Sequence, residues 1–340
     1  MKKLLLAIGV GVLVTLGILG LRYLVDNRMP NFRESREIYV RPDTTPQEVL
    51  DSLAGVVKFR RSLQRMFSEK EVARYITPGH YIVKPEHSSV YVARMLNNGW
   101  QEPVTLVLAG TLRLKGDMAR KISAQMMVDS AAVHEALCSD SLLAQYGFRS
   151  SNVFNLFIPD SYEMYWTDDV QTILARQKKA YDAFWTPERV ARAKALGLSR
   201  AQVGILASIV KGETNYEPEM PQIAGVYLNR LRKGMPLQAD PTVAFCFDYT
   251  LNRVLHRHLK VDSPYNTYKY KGLPPGPICV PTKACLDAVL NPDPAGNLYF
   301  CADPALNGTH RFAVTFREHQ KNAREFQKAL SSYGKQPTRP

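Results

Sequence analysis

The chain of 340 residues has no Cys-x-x-Cys pair, and its five cysteines (Cys138, Cys246, Cys279, Cys285 and Cys301) are scattered. No His and Cys set falls at zinc-ligand spacing, and His256-Arg257-His258 has neither helix nor finger spacing, so those histidines read as solvated. Net charge is +13, yet no dense Lys/Arg block with interleaved aromatics occurs and no nucleic-acid motif is present. That argues against nucleic acid and leaves an acidic polymer, lipid headgroups or a plain solvated basic surface. The cysteine count is odd. An oxidising compartment permits one or two bridges among the last four, and free buried thiols fit equally well.

The features that are present begin at the N-terminus. After Met1-Lys2-Lys3, Leu4 to Leu21 is uncharged and apolar, and Tyr23-Leu24-Val25 extends the run past Arg22. Such a run has the ~20 residues needed to cross a bilayer as a helix. A cleaved signal peptide starts the same way, but Leu19-Gly20-Leu21-Arg22 is a poor cleavage site. Residues 1–25 are therefore expected to form a cytoplasmic tip and a single-span anchor. Residues 26–35 come next as a short stalk, and Lys2 and Lys3 favour an exported body.

A repeat comes after the stalk. Tyr39-Val40-Arg41-Pro42-Asp43-Thr44-Thr45 is echoed by Ile82-Val83-Lys84-Pro85-Glu86-His87-Ser88, each leading into an amphipathic helix. Thr45-Pro46-Gln47-Glu48 reads as a capping box with proline at the first helical position. A weaker third copy starts at Val104, with a helix through Met118 and Ile122. Units this small are expected to pack together; accidental similarity within an α+β domain is the alternative. Further helices are expected over about 168–184 and 219–233, the latter ended by Gly234.

One short stretch, Ala207 to Tyr216, raises a chemical question. Val203, Leu206 and Val210 form one apolar helical stripe, and Glu213 continues it. Ser199 and Gln202 form a capping box at the start, while Gly212 and Thr214-Asn215 mark the end. A carboxyl on the buried side of a last helical turn is disfavoured as an anion, by desolvation and by the helix dipole. That is the condition for a general acid near neutral pH. The plainer reading is an ordinary helix-end acid paired with Lys211 or Arg230. Beyond Gly234 the chain is rich in polar-aromatic loops suited to a groove for a hydroxyl-rich ligand.

These residues carry a resemblance. "ASIVKGET" (207–214), "VYLNRLRKGMPLQADPTV" (226–243), "SPYNTY" (263–268), "GLPPGPI" (272–278) and "YFCADPALNGTHRFAVTFREH" (299–319) resemble, in order and spacing, the endolytic murein transglycosylases of the YceG-like family. "FIPDSYE" (157–163) is a looser match. The resemblance implies an α+β fold. A transmembrane helix is followed by a LysM-like strand-helix repeat region at 36–110 and a mixed α+β catalytic domain at 111–335. It implies Glu213 as the catalytic residue, with Asn229, Gln238, Asp240, Thr242, Asn266 and Tyr268 in substrate binding or active-site support. Asp240 reads equally as a turn cap before Pro241, and His310 and His319 as cleft or packing residues. Many members have an acid where this chain has Lys211.

The implied reaction needs one carboxyl: Glu213 protonates the MurNAc–GlcNAc glycosidic oxygen, then takes the proton of the muramic C6 hydroxyl as it closes a 1,6-anhydro ring. No metal or organic cofactor is implied. Nascent peptidoglycan strands and inner-membrane peptidoglycan synthases are the implied partners, on the periplasmic side of the cytoplasmic membrane. Two other functions are compatible with the residues: a noncatalytic peptidoglycan-binding protein, and a hydrolase using Asp240 as second carboxylate.

Overall fold

In a computed structural model, residues 2–333 are described; Met1 and the expected end of the catalytic domain at 334–335 lie outside them. The chain is mixed α+β and divides into two compact units. The first comprises 1–106, 125–128 and 162–169, and the second 107–124, 129–161 and 170–340.

The first unit starts with α1 (Lys2–Asn27), whose residues 2–24 are exposed along the whole apolar run. Then come β1 (Arg36–Val40), α2 (Pro46–Ser52), α3 (Arg60–Glu69), α4 (Val72–Tyr75), β2 (Gly79–Val83), α5 (Ser89–Asn97) and β3 (Val104–Val107). The two main copies of the repeat each form a strand, a turn and a capped helix. Thr45 and Glu48 make the expected capping box, with Pro46 in the first turn, and Ser88 caps α5. The strands pair antiparallel, Arg36 opposite Val83 and Val40 opposite Gly79. Their inward residues Val40, Tyr81 and Val83 join Phe32, Leu53, Leu63 and Leu96 in one core.

The stretch expected as a stalk is packed instead. Asp26, Asn31 and Phe32 are buried, and Asn31 accepts from the Phe59 amide at 2.6 Å while its amide group donates to Ser89 Oγ at 2.8 Å. The alternation that hides this is short: one Asn and one Phe between exposed neighbours give no periodic signal.

The second unit contains α6 (Lys115–Ser123), α7 (Ser130–Cys138) and α8 (Asp140–Ala144). After β4 (Ser161–Met164), most of whose residues belong to the first unit, come α9 (Val170–Phe184), α10 (Pro187–Ala195), α11 (Arg200–Glu213), α12 (Met220–Arg232), α13 (Asp240–Phe245) and α14 (Lys283–Leu290). A hairpin of β5 (Tyr299–Ala302) and β6 (His310–Ala313) precedes α15 (Phe316–Tyr333). The helix of the weak third repeat copy exists, with Met118 and Ile122 buried in α6, but it belongs to this unit. Around α11, its core helix, pack α12, α13 and α14. Gly234 follows α12 at φ 63°, the left-handed conformation that ends a helix at little cost in glycine. All five cysteines are free thiols.

Candidate active site

Helix α11 delivers Glu213. Ser199 accepts from the Gln202 amide, and Gln202 reaches back to the Ser199 amide at 2.8 Å. Val203, Leu206 and Val210 are fully buried, so the apolar stripe fixes the rotation of the helix and hence the side to which Glu213 points. Glu213 is the last helical residue, and Thr214 leaves in an extended conformation. Gly212 is required beside it: a Cβ there would stand 2.6 Å from Pro241 Cβ and 2.9 Å from Pro241 Cγ. Gly212→Ala is expected to push Asp240-Pro241 outward and lower turnover about tenfold through misplacement of site groups. A cost of about 1–3 kcal/mol from overpacking should accompany it; steady-state kinetics and a thermal melt check both.

The Glu213 carboxyl lies where two cavities meet. The smaller, about 270 Å³, is lined by Glu213, Tyr227, Arg230, Gln238, Asp240, Tyr268 and His319, among others. The larger, about 620 Å³, adds Arg113, Lys211, Asn215, Tyr216, Tyr249 and the 307–309 loop around the same glutamate. Burial pushes the Glu213 carboxyl up to about 7; the Tyr227 hydrogen bond opposes this, Asp240 adds to it, and Arg230 opposes it. Tyr227, 1% exposed on α12, donates its phenolic hydroxyl to Glu213 Oε1 at 2.5 Å. Its own ionisation is pushed well above the ordinary range, first by burial and then by the glutamate, so it remains a donor.

The plainer reading of Glu213 as an ion-paired helix end does not hold. Lys211 Nζ donates to Asn215 Oδ1 at 2.5 Å. The Arg230 guanidinium donates to backbone carbonyls, through Nε to Leu298 at 2.7 Å and through Nη1 to Leu237 at 2.7 Å. Arg230 thus pins the 236–240 loop and the start of the hairpin, and acts on Glu213 through its field. Tyr299 packs under the guanidinium at 5.3 Å, and His319 stacks on the same ring. Burial and then the Arg230 charge keep His319 below its usual range, so its imidazole is neutral near pH 7.

The other motif residues separate into two groups. Gln238, Asp240 and Tyr268 line the smaller cavity with Glu213. Asp240 accepts from the Tyr268 hydroxyl at 2.6 Å, and Gln238 holds a left-handed φ of 53°, a conformation an L-residue adopts only under constraint. Asn229, Thr242 and Asn266 do not line it. Asn229 donates to the Ala295 and Asn297 carbonyls at 2.9 and 3.0 Å. Thr242, fully buried, bonds Ala239 O and Thr267 Oγ1. Asn266 donates to the Leu259 and Val261 carbonyls. Thr242 ties the segment that carries Gln238 and Asp240 to Thr267 beside Tyr268, Asn266 holds the 259–261 turn, and Asn229 holds the segment that leads into β5.

His310 is a packing residue bound to Glu219, Nδ1 to Oε2 at 2.9 Å, whereas His319 faces the cavity. Sequence reasoning did not find Tyr227: it sits among apolar neighbours on a buried helix face, where a tyrosine reads as core. Among the described residues, no group of three or more His, Cys, Asp or Glu side chains is placed to hold a metal.

A carboxyl that burial raises to about 7, hydrogen-bonded by a buried phenol and lining two cavities, one of them with Asp240, has the features expected of a general acid. The chain belongs to the YceG-like family, whose profile matches residues 38–325. Two curated relatives are both named endolytic murein transglycosylase. The one from Bacillus subtilis (strain 168) is 44% identical over 116 residues, 34% of this chain and 32% of that protein. The one from Streptococcus pneumoniae (serotype 2, strain D39) is 24% identical, covering 91% of this chain and 62% of that protein. The chain thus matches less than two thirds of the length of either relative. A crystal structure of a YceG-like protein from Listeria monocytogenes shares the fold, with TM-score 0.56, 24% identity, and coverage of 85% of this chain and 98% of that one.

Proposed function

We propose that the protein is an endolytic peptidoglycan lytic transglycosylase that cuts within nascent glycan strands and so ends their elongation. The observation that carries this reading is Glu213, with its carboxyl near pH 7 between two cavities. A polymer cleaved internally must occupy space on both sides of the scissile bond, and the two cavities offer it. Protonated Glu213 donates to the oxygen linking MurNAc to GlcNAc, and the C1–O bond breaks. The resulting carboxylate, stabilised by Tyr227, accepts the C6 hydroxyl proton as that oxygen bonds C1. No water is consumed, and the attached nucleophile lowers the entropic part of the barrier. Gln238, Asp240 and Tyr268 position the sugar, Thr242 and Asn266 hold the segments around them, and Asn229 holds the segment that leads into β5.

On this reading α1 is a single-pass anchor. Lys2 and Lys3 favour a cytoplasmic amino end, and both units then stand on the extracytoplasmic side. The strand-turn-helix copies serve as a LysM-like glycan-holding region, and membrane-bound peptidoglycan synthases are the partners that supply the strand. The names of the relatives support the activity and the polymer.

The test is mass spectrometry of the products formed from uncrosslinked glycan strands by the detergent-solubilised chain. Muramic ends lighter by one water than hydrolytic ends are expected. Reducing ends would instead indicate a hydrolase and direct attention to Asp240. Intact strands that still co-sediment with the protein would indicate a binding protein.

A further inference from the structure

The junction of α1 with the first unit fixes which edge of that unit meets lipid. Asp26, 2% exposed, receives a two-pronged hydrogen bond from Arg65, Nη2 to Oδ1 at 2.6 Å and Nε to Oδ2 at 3.2 Å. One turn earlier in α1, Arg22 Nη2 meets Glu69 Oε1 at 2.9 Å, and its Nε stands 3.6 Å from Asp26. A step of four residues back along α1 therefore matches four residues forward along α3. The two helices run antiparallel, and the C-terminal end of α3 points toward the apolar run.

Arg22 is the first charge after Leu4–Leu21. Eighteen helical residues span about 27 Å, close to the ~30 Å hydrocarbon thickness of a bilayer, so Arg22 marks the headgroup level and Glu69 shares it.

The chain just beyond Glu69 lies at that level or nearer the bilayer. Glu71 takes a left-handed φ of 51°, which turns the chain off the α3 axis into α4. From α4 the chain returns to the end of α5, where the Thr77 amide donates to Leu96 O at 2.9 Å. Asn97 Nδ2 in turn donates to Lys70 O at 2.7 Å. α5 also packs against α1. The turn 70–77 is thus bracketed by the ends of two helices that both pack on the anchor.

Its exposed side chains suit an interface. Tyr75 is 47% exposed, and the Arg74 guanidinium stands 5.2 Å from its ring centre. Tyrosine is favoured at headgroup depth because its ring is apolar and its hydroxyl polar. Lys70 and Arg74 oppose Glu71, and Arg22 and Glu69 pair with each other, so the edge has a small net positive charge.

We propose that the 70–77 edge of the first unit rests in the phospholipid headgroup layer, with Tyr75 and Arg74 as the contacts. The inference rests on the reading of α1 as a membrane anchor and is independent of the reaction. The clamp makes anchor and unit one body: the Asp26–Arg65 bond leaves no free stalk to let the unit swing.

The experiment uses the full chain with p-benzoylphenylalanine at position 75 or position 60, in phosphatidylethanolamine–phosphatidylglycerol vesicles. Only the fraction that floats with the vesicles is irradiated, so failure to float would refute the anchor reading separately. Position 60 is at the other end of α3, about 14 Å farther from the bilayer at 1.5 Å per residue, and Arg60 is exposed. A lipid-sized mass adduct is expected at position 75, at least tenfold above that at position 60. Equal adducts at both positions would mean that the unit lies along the bilayer, and adducts at neither would mean that it stands clear. Either result overturns the proposal, as would an adduct at 75 only to a second protein chain.

Discussion

Glu213→Gln is expected to lower turnover of glycan strands by about 1,000-fold or more, because general acid–base assistance alone is worth 10²- to 10⁴-fold and in the proposed reaction this residue serves both steps. Binding should persist. Glutamine keeps the size and polarity of the side chain, and the lining groups Gln238, Asp240 and Tyr268 are untouched. Strand affinity should therefore change by less than about threefold, a loss of under 1 kcal/mol. A binding protein without catalysis would show no turnover for either form, and co-sedimentation beside product analysis separates the cases.

The same substitution carries a stability signature. The carboxyl is held at about 7 in the fold, against 4.5 for the free side chain. A raised carboxyl adds stability that is fully present below about pH 4.5 and lost as pH rises through about 7. Above that pH the native protein holds a costly anion, which the neutral glutamine side chain avoids. Glu213→Gln should therefore melt higher than the native chain at pH 8, by about 3 kcal/mol at most, since one pH unit is worth 1.36 kcal/mol, and should lose that advantage near pH 4. Denaturant titrations at the two pH values check it. A gain on removing a charged group would mark a residue kept for chemistry at the expense of stability.

The position of that glutamate was legible in the sequence for a physical reason. The stripe Val203–Leu206–Val210 and the Ser199–Gln202 box fix both the face and the length of α11, and an acid on such a face is conspicuous. Asp240 and Tyr268 were legible only as members of motifs, and so were Asn229, Thr242 and Asn266. Nothing in the sequence separates lining from holding, because that depends on where a side chain's hydrogen bonds go after the loops have folded. Asn266 could have faced a sugar; it faces Leu259 and Val261.

Arg230 shows the same limit from the other side. Its charge suggested a partner for Glu213, but its fork is taken by the Leu298 and Leu237 carbonyls. Backbone acceptors carry no sequence signal. The first unit was legible where caps and alternation were local, as in α2 and α5. It was not legible at Asn31, whose side chain joins Phe59 to Ser89 across long chain separations.

Tyr227→Phe is expected to move the pH dependence more than the rate. The hydroxyl donates to Glu213 Oε1 at 2.5 Å and lowers the carboxyl's proton affinity against burial. A hydrogen bond to a charged group is worth about 1.5–3 kcal/mol, or roughly one to two pH units. Removing it should carry the acid from about 7 to about 8 or higher, and the alkaline limb of kcat/KM should shift upward by the same amount. In the proposed reaction the acid must be protonated at the start, so the variant stays competent at pH values where the native chain has lost its proton. The plateau should fall several-fold, since a weaker acid donates less readily and the later carboxylate loses its stabilising donor.

Phenylalanine keeps the edge-on contact that the Tyr227 ring makes with Phe300 at 5.9 Å, so the fold should tolerate the change. A hydroxyl that merely filled space would give a variant slower by one factor at every pH. A displaced limb with a lower plateau is the result that ties Tyr227 to the protonation of Glu213, and through it to the proposed reaction, in which one carboxyl acts first as acid and then as base.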